Sequence, residues 1–172
     1  NGASHTINTT LTLGSVSTSS SSFDPGADQN KSIGDTSVRV SALRFTAGSA
    51  EDLKLYNIRF RQVGTASASD IANVVVDVNG TKYPTVLDAS GKYYTVVFSG
   101  GLLITKGNSI DVYTQVDITG TNAASRTVRL DIDKVTDVYF VGQTYGYGVA
   151  ASGTLTPWFT SHVTTINAGS AT

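Results

Sequence analysis

Residues 102–118 read LLITKGNSIDVYTQVDI, and this stretch decides the fold class. Lys106-Gly107-Asn108 is turn chemistry, and Ile110, Val112, Thr114, Val116 and Ile118 then recur at every second position. A period of two puts successive side chains on opposite faces of a strand, so this run has one apolar face. The same period appears on both sides of it. Val74, Val76 and Val78 run into Asn79-Gly80, and Tyr83, Thr85 and Leu87 follow; both positions of such a two-residue turn need positive φ, which Asn-Gly supplies. Val128, Leu130 and Ile132 alternate with Arg129, Asp131 and Asp133, predicting one dry and one wet face.

The alternation also changes phase. Val38 and Val40 give way to Leu43 and Phe45, predicting a bulge near Ser41 and Ala42, and a second shift follows Leu55 at Tyr56. Ser99-Gly100-Gly101 is expected to end the strand that begins near Tyr93. No window carries a 3.6-residue period with helix caps. The pattern predicts an all-β chain, an immunoglobulin-like antiparallel β-sandwich of about ten strands with a detached N-terminal strand.

Composition narrows the function classes. The chain has 172 residues, 15% of them charged, with a net charge of −1, so no basic field exists to hold nucleic acid. No apolar run approaches a membrane span. With no cysteine, disulfides, thiolate metal sites and thiol nucleophiles are excluded. No nucleotide-binding or hydrolase motif is present, and the two histidines, His5 and His162, lie far apart near the ends. The chain opens on Asn1 and contains no methionine, as expected of a processed chain or a segment of a longer one.

Three divisions are expected: residues 1–35 as an N-terminal strand and Ser/Thr-rich tether, 36–142 as the sandwich core, and 143–172 as a Gly/aromatic-rich segment packed on the core or on a neighbour. Within the first, Ile7, Thr9, Leu11 and Leu13 share one face of a strand. The 22 residues from Gly14 to Asp35, at about 3.3 Å each, reach far enough to place that strand on another molecule. The other reading is that it is the first strand of its own sandwich. Tyr145, Tyr147, Trp158 and Phe159 are candidate surface aromatics for stacking on sugars, or else seal an edge. Asp24, Asp28, Asn30 and Asp35 form an oxygen-rich loop without the regular spacing of a calcium hand; turn capping is the default reading, calcium the alternative. Asn8, Asn30 and Asn79 head N-glycosylation sequons.

Residues 41–64 (SALRFTAGSAEDLKLYNIRFRQVG), 70–83 (DIANVVVDVNGTKY), 102–118 and 129–135 (RLDIDKV) together resemble the immunoglobulin-like β-sandwich repeat domains of prokaryotic cell-surface and S-layer-type proteins. The resemblance covers roughly residues 36–141. It implies a structural, extracellular, non-enzymatic role without cofactor, and it carries no active-site residues. The expectation is a subunit of a filament or surface layer whose partners are identical subunits joined by strand donation. The alternatives are a carbohydrate-binding or adhesion module that meets glycans or a neighbouring cell surface, and one repeat of a tandem array.

Overall fold

The computed structural model describes Gly2, residues 10–152 and residues 158–169. Among these residues twelve strands account for the regular structure, with two single-turn 3-10 helices between them. They are β1 (Val16–Ser20), β2 (Gln29–Ser32), β3 (Val38–Ala47), β4 (Leu53–Val63), β5 (Ile71–Val78) and β6 (Thr81–Leu87). The remainder are β7 (Tyr93–Ile104), β8 (Ser109–Ile118), β9 (Thr127–Asp131), β10 (Val138–Gly142), β11 (Gly148–Val149) and β12 (Thr164–Asn167). The all-β class read from the alternation is the observed one.

One hydrogen-bonded path runs β1-β3-β8-β5-β6-β7-β4-β9-β12-β2, with β10 on β4 and β11 on β10. Strand β6 turns the corner. Val75 to Val78 of β5 pair with residues 81–84, whereas Thr85, Val86 and Leu87 pair with Val96, Thr95 and Tyr94 of β7. Pro84, which has no N–H to donate, stands where the partner changes. The sheet thus folds over itself, and the inward residues of both halves share one core. Phe45 on β3 meets Phe140 on β10 edge to face at 5.2 Å, and Phe60, Phe98, Ile118 and Leu130 are fully buried beside them.

Both phase shifts read from the sequence are present. The β3–β8 register slips between Arg39 and Ser41, and the β4–β7 register between Leu55 and Asn57. Asn79 and Gly80 have φ of 53° and 82°, as the two-residue turn requires. Gly100 and Gly101 do not end a strand. Both are left-handed (φ 76° and 75°) inside the continuous β7, where they bulge opposite Tyr56. A Cβ on Gly101 would come within 3.0 Å of Lys54 and 3.1 Å of Tyr56 side-chain atoms.

The ends differ most from expectation. Residues 14–35 are not a free tether: β1 pairs antiparallel with β3, and β2 pairs parallel with β12. Strand β1 places Val16 in the core, but its other residues are Ser and Thr at a sheet edge, so no apolar alternation marks it. Strand β2, QNKS, has no apolar residue at all; its partner's backbone holds it. Val16, from the expected tether, and Ala151 and Ile166, from the C-terminal segment expected on the core or on a neighbour, are buried with the core residues. Asp131, expected on a wet face, is buried: Ser161 from the C-terminal segment donates its backbone N–H to it at 3.0 Å and Arg129 its guanidinium at 3.0 Å.

Replacing Phe140 by Ala removes the ring that joins the two halves. A loss of roughly 3–5 kcal/mol is expected, read as a lower urea midpoint with an unchanged slope.

Candidate functional site

Glu51, in the turn between β3 and β4, is 2% exposed and has no cation beside it among the described ion pairs. Its carboxylate is held by backbone instead. Oε1 accepts the N–H of Gly14 at 2.7 Å, and Oε2 accepts those of Thr144 at 2.9 Å and Tyr145 at 3.3 Å. Burial pushes the pKa up, but these three N–H donors bind the charged form and bring it below the ordinary glutamate value. A Cβ on Gly14 or Gly142 would overlap this carboxylate, so both approaches demand glycine.

One side chain therefore fixes two distant pieces of chain together: Gly14, just before β1, and the turn between β10 and β11. Each carries apolar side chains into solvent. Leu11 is 44% exposed and Leu13 45%, and neither belongs to a strand. Ile7 and Thr9, the other members of the expected strand face, lie outside the described residues, as does Asn8. On the turn, Tyr145 and Tyr147 are exposed. Next to them, a Cβ on Gly148 would just touch the ring of Tyr139, which stands 6.0 Å from that of Tyr56.

The outer face of β7, β4 and β10 continues from there in two zones. Near the β10–β11 turn it is apolar, with Tyr139, Val97 and Leu103 exposed. Farther along β4 it is ionic: Arg59 lies 3.7 Å over the Tyr93 ring and within 3.8–3.9 Å of Asp88 and Asp137, and Arg61 meets Asp133 at 3.3 Å. Burial and the bond to Asp133 both raise the Tyr93 pKa, with the hydrogen bond the larger cause.

The four aromatics named from the sequence separate. Tyr145 and Tyr147 are surface residues. Trp158 and Phe159 are partly buried against the core, with the Trp158 indole donating to the Ser152 carbonyl at 3.0 Å and Phe159 bridging Ile132. The oxygen-rich loop converges only in part. Asp24 accepts the Gly26 N–H and faces His162 at 3.3 Å, Asp28 accepts the Val163 N–H and lies 3.8 Å from the same imidazole, Asp35 accepts the Ser32 N–H, and Asn30 sits exposed in β2. Among the described residues no group of three or more His, Cys, Asp or Glu side chains is placed to hold a metal ion. Asn79 is exposed at the tip of the β5–β6 hairpin. No helix among them is long and apolar enough to cross a membrane. Glu51 itself gave no signal in the sequence, because an acidic residue in a turn ordinarily reads as solvated.

No protein-family model matches the chain, and no curated protein does. Among solved structures it is similar to a cohesin module from a family 33 glycoside hydrolase of Clostridium perfringens, at 11% identity and TM-score 0.44, over 92% of this chain and all of that one. It is also similar to a family 123 glycoside hydrolase from Clostridium perfringens, at 12% identity and TM-score 0.44; there it covers 90% of its own length and 27% of the hydrolase.

Replacing Glu51 by Gln leaves buried N–H groups facing an amide, at an expected cost of roughly 1–3 kcal/mol. Because the folded pKa is depressed, the stabilisation from the carboxylate is complete above the ordinary glutamate range and is lost as pH falls through the folded value. Urea unfolding of both proteins from pH 7 to 3 should show a constant gap that closes only at the acid end.

Proposed function

We infer that this chain is a structural module of an extracellular surface assembly that associates with copies of itself through the apolar end gathered by Glu51. The observation that supports this is that one buried carboxylate binds the N–H groups of Gly14 and Tyr145, in two stretches that carry the exposed apolar side chains of Leu11, Leu13, Tyr145 and Tyr147. Scattered exposed apolar residues need no partner; a cluster on rigid backbone is what a contact surface requires. Strand donation is the finer form of this reading. It is favoured by Leu11 and Leu13, which stand exposed outside any strand just before β1.

The closed core shapes what a donated strand would do. The ends of the strand path are β1 and β2, of five and four residues, and the outer side of Val16 is bridged by Ala151. A strand from a second molecule would extend a short edge and not fill an open core.

Sedimentation across a concentration series tests the reading. Self-association is expected, weakened at least tenfold by Leu11→Ser with Leu13→Ser, and likewise by Tyr145→Ser with Tyr147→Ser. A chain that stays monomeric up to about 1 mM, the limit of weak binding, would overturn it.

A further inference from the structure

A cleft of about 760 Å³ opens away from that end, between residues 23–25, β2 and residues 34–39. Lys31 and Arg39 line it, and neither forms an ion pair among the described residues. Asp24 and Asp35 stand on its wall as well, Asp24 with the Gly26 N–H and His162 and Asp35 with the Ser32 N–H, and neither pairs with Lys31 or Arg39. The Arg39 guanidinium is held by two rings, 5.0 Å from the centroid of Phe23 and 5.1 Å from that of Tyr113, which stack on each other at 4.8 Å. Aromatic faces fix the plane of a guanidinium without consuming its N–H donors. Directly opposite Arg39 in the β3–β8 ladder, Gln115 is buried and its Oε1 has no hydrogen-bond partner.

Unmet donors on two cations thus line a cleft whose other walls include Gln29, Thr36 and Ser37, with the unmet Gln115 acceptor outside that lining. A carboxylate suits the guanidinium fork, and hydroxyl groups suit the neutral polar walls. We propose that this cleft binds a uronic acid unit of an acidic polysaccharide, with its carboxylate on Arg39 and Lys31. An acidic peptide fits less well, because a peptide side chain seeks apolar subpockets and these walls are mainly polar.

Calorimetric titration of the whole chain with trigalacturonate, maltotriose and triglutamate tests this. Trigalacturonate should bind, with an affinity that falls as salt rises and at least tenfold above that of neutral maltotriose. Arg39→Gln and Lys31→Gln should each weaken it at least tenfold; Lys31, on a polar edge strand, keeps the test open if the Arg39 variant does not fold. Absence of trigalacturonate binding at on the order of 10 mM, or wild-type affinity in the Lys31 variant, would overturn the proposal. Equal affinity for triglutamate would overturn the sugar assignment.

Discussion

Along β6 the hydrogen-bonding partner changes from β5 to β7 within seven residues, and the rest of the architecture follows from that exchange. A flat sheet of this many strands would leave one apolar face in water. By serving two neighbours in succession, β6 folds the sheet so that Phe45 and Phe140, from opposite halves of the strand path, share one interior. The bulges at Arg39–Ser41 and around Gly100 and Gly101 add local bend where the long strands wrap that interior.

Once the interior is closed, the loops around it are fixed by buried carboxylates. Glu51 holds Gly14, Thr144 and Tyr145 through their N–H groups. Asp70 likewise accepts the Ser67 N–H at 2.7 Å and meets Arg126 at 2.7 Å. Burial opposes both charges, and the hydrogen bonds outweigh it, so each pKa lies below its ordinary value. Asp131 is the contrast: burial dominates there, and its pKa is raised despite Ser161 and Arg129. In a chain with few charges and no disulfide, these anchors tie loops to the body and so shape the molecule's surface.

That surface is divided chemically. The apolar end around Leu13, Tyr145 and Tyr147 suits contact with another protein molecule, and the Arg59–Asp137 zone on the same face is saturated with its own ion pairs. The Lys31–Arg39 cleft has cations without carboxylate partners and suits a ligand that brings its own negative charge.

Period-two alternation alone carried the strands of the central body, the Asn79-Gly80 hairpin and both register shifts, because an inward-outward pattern is written locally in residue type. The edge strands β1 and β2 were invisible: a Ser/Thr-rich strand and a wholly polar one take their conformation from the partner's backbone, which no side-chain pattern records. Tyr145 and Tyr147 were legible as surface candidates and Leu11 and Leu13 as one face of a strand, but not the meeting of the two stretches that carry them. Their meeting depends on Glu51, whose hydrogen bonds span 37 and 94 residues, and on an interior that buries an acidic turn. Such long-range closure belongs to the folded chain, since only packing decides which backbone N–H groups a carboxylate removed from water will find.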